Sequence, residues 1–204
     1  MPHTRAKIVS PSPSSEILPL NTRGELLVSG YCVMKEYYED PIRTAENQTI
    51  CPPHPSHLFP ENENGEKVVW MHTGDEASMD SEGYVKITGR IKDLIIRGGE
   101  NISPAEVENC LFAHEAVSEV SVVGVPDERY GEVVGAFVVR AGNEVVTKEE
   151  LREWVGERLG RHLRPKYIFW VGKGAFPKTA SGKIMKFLLR DRARELVEKG
   201  EGGE

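Results

Sequence analysis

Gly89-Arg90-Ile91-Lys92-Asp93-Leu94-Ile95-Ile96-Arg97-Gly98-Gly99-Glu100-Asn101-Ile102-Ser103-Pro104-Ala105-Glu106-Val107-Glu108 is the stretch at which the grammar of this 204-residue chain changes. Asp93 to Ile96 reads as a short strand ending at Gly98-Gly99. Ser103-Pro104-Ala105-Glu106 has the spacing of a capping box, with proline at the first helical position, where a missing N–H costs nothing. The spacing predicts a helix to about Ala113. Toward the C-terminus, Val117 to Val125 and Glu132 to Arg140 are Val-rich strands, with Pro126 and Gly131 bracketing the turn between them. Thr147-Lys148-Glu149-Glu150 repeats the capping-box spacing and opens a helix to about Leu159, which Pro165 prevents from continuing. Tyr167 to Val171 is a further strand, Gly172 to Gly182 a Gly/Lys/Ser loop, and Ile184 to about Lys199 a charged amphipathic helix.

Toward the N-terminus the pattern is mostly strand. Ala6 to Val9 is a short apolar run, and the Pro/Ser-rich Ser10 to Ser15 reads as a surface turn. Gly24 to Gly30 is a glycine-bounded strand. Arg43 to Glu66 is polar and proline-rich, with little periodicity, and reads as a long loop or insertion. Strands resume at Lys67 to Met71 and Tyr84 to Thr88. The expected fold class is α+β in two units: a β-rich unit over residues 1–91 and a compact α+β domain over residues 92–204.

Composition narrows the function classes. A hydrophobic fraction of 39% and a charged fraction of 28% are those of an ordinary globular chain. Twenty-six basic against 32 acidic residues leave a formal charge of −6, which argues against a nucleic-acid partner. No run approaches the ~18 apolar residues of a membrane span, and Met1 to Ser10 lacks the apolar core of a secretory signal. Cys32, Cys51 and Cys110 are odd in number and irregular in spacing, which fits a reducing, cytoplasmic setting. The final Gly202-Gly203-Glu204 is not a peroxisomal address.

Three stretches invite chemistry. Trp70-Met71-His72-Thr73-Gly74-Asp75 reads as a strand ending in a glycine turn with a carboxylate at its tip, a group able to accept hydrogen bonds from a sugar diol. Alone, it reads more readily as a solvated turn aspartate. The Gly89 to Glu108 run is the second, and Pro177-Lys178-Thr179-Ala180-Ser181-Gly182-Lys183 the third. The Gly89 to Glu108 run resembles the linker motif of adenylate-forming enzymes, the superfamily of acyl-CoA synthetases, luciferases and peptide-synthetase adenylation domains. The Pro177 to Lys183 loop resembles that superfamily's C-terminal lysine loop. Gly24 to Thr44, closing on Tyr37-Tyr38-Glu39-Asp40-Pro41-Ile42-Arg43-Thr44, resembles a further family motif. With the Trp70 to Asp75 stretch, four motifs stand in the family's order.

The resemblance implies roles. Asp75 matches the aspartate that holds the ribose hydroxyls of ATP and of the acyl-adenylate, and Arg90 an arginine that contacts the nucleotide. Lys92 stands at the hinge position about which the small C-terminal domain swings. Gly98 and Gly99 match glycines lining the pantetheine tunnel. Lys183 matches the lysine that reaches the substrate carboxylate and the α-phosphate. A cation about 4 Å from a phosphoryl oxygen contributes about 4 kcal/mol at an effective dielectric near 20, which a preorganised lysine delivers in the transition state. The substrates and cofactors so implied are a carboxylic acid, ATP/AMP (with Mg) and CoA, and the lineage is acid–CoA ligase of the fatty or aryl type. Residues 1–91 are then the β-rich end of the AMP-binding domain, a remnant of its small barrel with a loop insertion at about 43–66. Residues 92–204 are the enzyme's C-terminal domain.

Other expected parts are missing. The family's Ser/Thr/Gly-rich phosphate loop and its Tyr-Gly-x-Thr-Glu motif do not occur in the chain. Without them the chain is expected not to make acyl-CoA alone, and open strand edges or exposed apolar faces are expected in residues 1–91. Two alternatives stand beside this reading: a non-catalytic module completed by a separate N-terminal half, or an adenylation domain that loads a carrier protein. Cys51, His54 and His57 have ligand chemistry, yet three candidates in a proline-rich loop without a fourth make a poor zinc site, and no metal site is expected. His114 and His162 are expected to cap helix ends. Lys186, Arg190, Arg192 and Arg194, mixed with Asp191, Glu195 and Glu198, read as a solvated face.

Overall fold

The structure, a computed structural model, describes residues 3–11, 15–50, 68–142 and 146–203. The chain folds as two compact units, Met1–Ile91 and Lys92–Glu204. It is α+β throughout.

The first unit is built on one open antiparallel sheet. Its strands are β1 (Thr4–Val9), β2 (Gly24–Gly30), β3 (Gln48–Ile50), β4 (Val69–Met79) and β5 (Val85–Arg90), and helix α1 (Pro41–Asn47) precedes β3. β4 is the long central strand. One of its edges pairs with β2, while the other pairs first with β3 and then with β5. Small apolar clusters form around Ile8, Leu26 and Ala77 and around Val9, Leu27 and Trp70. Tyr84, Val85 and Ile87 at the β5 edge stay exposed, as expected of a strand edge with little to pack against.

Two local expectations need correction here. Arg43 to Ile50, read as part of a loop, is helix and strand. Asp40 caps the helix by accepting from the Arg43 amide (2.9 Å), and Pro41 takes the first helical position. Capping chemistry thus overrides a composition that looks irregular. Residues 51–67, with the Cys51/His54/His57 candidates, lie outside the described residues. Nor does Gly74 end a strand: β4 runs on to Met79. Glu25 faces Glu76 and Leu27 faces His72, so Thr73, Gly74 and Asp75 together stand opposite Leu26 alone. Gly74 has φ +70°, the left-handed conformation that such a bulge needs and that glycine adopts without penalty.

In the second unit the strands are β6 (Ile95–Arg97), β7 (Glu100–Ile102), β8 (Val117–Asp127), β9 (Gly131–Arg140) and β10 (Tyr167–Trp170). The helices are α2 (Pro104–Phe112), α3 (Lys148–Leu159) and α4 (Lys186–Glu198). β9 is central: β8 pairs with it antiparallel, β10 parallel, and β6 joins its start. Alternation along β9 sorts its side chains onto two faces. Val134, Ala136 and Val138 pack with Val107 and Leu111 of α2 and Leu151 and Val155 of α3. Val133, Phe137 and Val139 pack with Leu189 and Ala193 of α4. Helices on both faces explain why this strand reads as an unbroken apolar run. Each such Val or Leu contributes about 1.5–3 kcal/mol when fully buried.

The two capping boxes behave differently. At Thr147 the box is complete: its Oγ1 accepts from the Glu150 amide (3.2 Å), and Glu150 Oε2 accepts from the Thr147 amide (2.7 Å). At Ser103 the helix starts as expected, but the Glu106 amide donates to the Ser103 carbonyl (3.1 Å) instead of its hydroxyl. α4 also departs from a purely solvated face. Lys186 reaches Glu108 of α2 (2.7 Å), and Arg190 reaches Asp93 (3.2 Å) and the Lys92 carbonyl (2.7 Å).

Candidate functional site

In the first unit the bulge of β4 presents Asp75. Asp75 stands directly opposite Arg90 of β5, and Arg90 Nε lies 2.8 Å from Asp75 Oδ1. Arg90 also donates from Nη1 to the Thr73 carbonyl (2.8 Å). The Thr73 hydroxyl donates to the Leu26 carbonyl (2.7 Å) and accepts from the Asp75 amide (3.1 Å). The Gly74 amide donates to Glu25 Oε1 (3.3 Å). Glu25 Oε2 accepts from His72 Nδ1 (2.9 Å), and His72 Nε2 lies 2.7 Å from Thr49 Oγ1. The structure thus brings together Asp75 and Arg90, two residues that the sequence resemblance had assigned separately to the nucleotide. It also adds Glu25, His72 and Thr73, to which the sequence reading attached no role. The signal was present in part, since all three lie inside quoted motifs; their contact depends on cross-strand register.

In the second unit Gly98 and Gly99 form the two-residue turn of the β6–β7 hairpin. Their φ values are +60° and +90°, the left-handed pair of a type I′ turn. The Gly98 amide donates to the Tyr130 carbonyl (2.8 Å), and a Cβ on Gly99 meets nothing within 4 Å, so the turn is open on that side. Tyr130 is set by Asp127, whose Oδ1 accepts from the Arg129 and Tyr130 amides (3.0 and 2.9 Å). The Lys166 ammonium, 2.6 Å from Asp127 Oδ2, holds that carboxyl below the ordinary carboxylate range, helped by the Tyr130 amide. Lys92 lies on a 3₁₀ turn (Ile91–Asp93) and is exposed.

Lys183 closes a small strapped loop. The Thr179 amide donates to the Lys183 carbonyl (2.8 Å), the Gly182 amide to the Thr179 carbonyl (2.8 Å), and the Lys183 amide to Thr179 Oγ1 (3.1 Å). Two ion pairs flank the loop, Lys178 with Glu119 (3.2 Å) and Lys186 with Glu108 (2.7 Å). Lys183 itself is exposed, so its ammonium is presented from an ordered backbone.

The remaining candidates have structural partners. His114 Nδ1 accepts from the Ala116 amide (3.1 Å), and its ring meets Trp154 edge-on. His162 lies 3.8 Å from Glu100. Burial pushes the Cys110 thiol above its ordinary value, away from thiolate reactivity. A cavity of about 470 Å³ in the first unit is lined by His3, Arg5, Tyr31, Met34, Lys35 and Val69 among others; part of the Gly24–Thr44 motif borders it, but Asp75 and Arg90 do not. Among the described residues, no group of three or more His, Cys, Asp or Glu side chains is placed to hold a metal ion. No helix among them is long and apolar enough to cross a membrane.

Residues 106–183 match the family described as the AMP-binding enzyme C-terminal domain. The acyl-CoA ligase sidI of Aspergillus fumigatus is 44% identical over 205 residues, covering 98% of this chain and 32% of that protein. The mitochondrial medium-chain acyl-CoA ligase ACSF2 of Danio rerio is 43% identical over 196 residues, covering 96% of this chain and 29% of that protein. The crystal structure of ATP-bound MatB from Rhodopseudomonas palustris superposes with a TM-score of 0.78 at 29% identity, over 96% of this chain and 35% of that one. The chain spans about a third of the length of the curated relatives it matches. Motif order, fold and relatives agree: residues 106–183 carry the AMP-binding enzyme C-terminal domain, and the chain is similar over nearly its whole length to part of the adenylate-forming acyl-CoA ligases.

Proposed function

We propose that this chain is the C-terminal part of an ATP-dependent acid–CoA ligase. In the full reaction a carboxylate oxygen attacks the α-phosphorus of ATP and pyrophosphate leaves. The CoA thiolate then attacks the acyl carbon of the adenylate and AMP leaves. Asp75 accepts hydrogen bonds from the ribose diol, and Arg90 neutralises and steadies that carboxylate while contacting the nucleotide. Lys183 places its charge at the α-phosphate and substrate carboxylate during the first step. Gly98 and Gly99 leave the backbone bare for the thin pantetheine arm in the second, and Lys92 is the hinge between the two poses. The acid is of the fatty or aryl class, in keeping with the medium-chain relative. The chain by itself does not make acyl-CoA, because the phosphate-loop and acyl-pocket residues of the reaction are not among its 204. The observation that carries this reading is the ordered loop that presents an exposed Lys183.

The experiment is a chimera in which this chain replaces the matching third of the Aspergillus fumigatus relative. Acyl-adenylate and thioester are measured with and without CoA. The chimera is expected to form both, and Lys183→Ala is expected to slow adenylate formation by about 10²–10³-fold, the usual cost of one preorganised electrostatic group. An equally active Lys183→Ala chimera overturns the lysine's role. Sustained thioester formation by the isolated chain, abolished by Lys183→Ala, overturns the claim that it is inactive alone.

A further inference from the structure

We propose that Glu25 and His72 are positioning residues for Asp75: through the Gly74 amide they hold the Thr73–Asp75 bulge in the shape that aims the Asp75 carboxylate. The inference rests on the reading of Asp75 as the ribose-binding group, and what carries it is the accounting of the bulge's backbone. A bulge leaves ladder groups unpaired, and each needs a substitute partner. Here the Thr73 carbonyl goes to Arg90, the Asp75 amide to the Thr73 hydroxyl, and the Gly74 amide to Glu25. Of these three, only the Gly74–Glu25 bond ties the bulge's own backbone to β2.

Glu25 does not hold that position unaided. It stands opposite Glu76 across the β2–β4 pair, and directly opposed residues share a face, so two carboxylates are set side by side. Glu76 is buried, and its carboxylate takes a hydrogen bond from the Thr88 hydroxyl (2.6 Å). His72 supplies the anchor for Glu25. A carboxylate only accepts, so His72 donates from Nδ1 to Oε2 and leaves Oε1 for the Gly74 amide. Thr49 at Nε2 stops the ring from turning. The order of action is Thr49, His72, Glu25, Gly74 amide, Asp75. Neither Glu25 nor His72 touches the nucleotide in this scheme.

The test is nuclear magnetic resonance on the full 204-residue chain, reading the Gly74 and Asp75 amides and the Arg90 Nε–H, with AMP and 2′,3′-dideoxy-AMP as probes. His72→Leu removes the donor to Glu25. His72→Asn keeps a donor where Nδ1 stands. His72→Leu is expected to move all three signals and to reduce by about tenfold the preference of the Asp75 amide response for AMP over the dideoxy probe, while His72→Asn restores most of both. A folded His72→Leu chain with the three signals at their wild-type positions overturns the proposal. Should that variant not fold, Glu25→Gln decides the matter: it keeps an acceptor for Gly74 but weakens the His72 pair, and unchanged Gly74 and Arg90 signals again overturn the proposal. A wild-type chain that responds equally to the two probes overturns the ribose reading instead, and the ligand-free signals still judge the positioning role.

Discussion

Arg90 Nε sits 2.8 Å from Asp75 Oδ1, and the two residues are direct cross-strand partners at the point where β4 bulges. The pair is partly open to water, with side-chain exposures of 50% for Arg90 and 21% for Asp75. Screening limits such a pair to about 1 kcal/mol or less of stability. Arg90→Ala is therefore expected to leave the thermal midpoint nearly unchanged. It is also expected to weaken AMP binding about tenfold, the worth of one charge-assisted hydrogen bond of about 1.5 kcal/mol. Calorimetry and an AMP titration of the same sample separate the two effects; a large fall in midpoint with intact binding would reverse the assignment.

Glu108 does two jobs in the second unit. Its Oε1 accepts from Lys186 (2.7 Å) and from the amide of the fully buried Val122 (2.7 Å). Glu108→Ala strands that amide and is expected to destabilise the chain by about 1–3 kcal/mol. Glu108→Gln keeps an acceptor oxygen for Val122 and is expected to cost clearly less. Urea unfolding of the two variants measures the gap, and equal losses would place the whole effect in the ion pair.

At Gly99 the φ of +90° makes any L-residue costly, although an added Cβ meets nothing within 4 Å. Gly99→Ala is expected to lose about 1–2 kcal/mol through the backbone alone. In the chimera, Gly99→Val is expected to spare pyrophosphate release and to depress thioester formation, because in the proposed reading the added branches stand where the pantetheine arm passes. Parallel assays of pyrophosphate and thioester check this; equal loss of both would remove Gly99 from the CoA step.

Asp127 and Lys166 set the pH dependence of the turn that carries Tyr130. The Asp127 carboxyl is held low, first by the Lys166 hydrogen bond and then by the Tyr130 amide, so it stabilises the fold above the unfolded carboxylate value near 3.9. That contribution is lost as pH falls below this value through the depressed folded one. Lys166, raised chiefly by its bond to Asp127, contributes below its unfolded value near 10.4 and loses this as pH rises through the raised folded value. Asp127→Asn is expected to be less stable at pH 7 and to show a shallower decline below about pH 4. Melting curves from pH 2 to 7 test it, and an unchanged acid limb would exclude the pair.

Where local chemistry decides conformation, the residues were readable in order. Gly24 to Gly30 is a strand between its glycines, and Thr147 caps α3 with both halves of its box formed. Reading failed where a partner distant in sequence decides. Thr73, Gly74 and Asp75 look like a turn until β2 is laid beside them, because only the register against Glu25 and Leu27 turns three residues into a bulge. Glu100 to Ile102 carries no strand signal of its own and becomes β7 because the Gly98-Gly99 turn folds it back on β6.

The sequence by itself pointed to the family, to the strand and helix order from Pro104 onward, and to the residue types that chemistry requires: a carboxylate, a glycine pair and a terminal lysine loop. These are properties of neighbours along the chain, where propensity, capping and motif spacing act within a few residues. Tertiary structure alone decided that Asp75 faces Arg90, that Glu25 spends its two oxygens on His72 and Gly74, and that Lys183 rides a loop between two ion pairs. Each of those contacts joins residues well apart in sequence. Their geometry is set by strand register and by helices packed on both faces of β9, which no local pattern encodes.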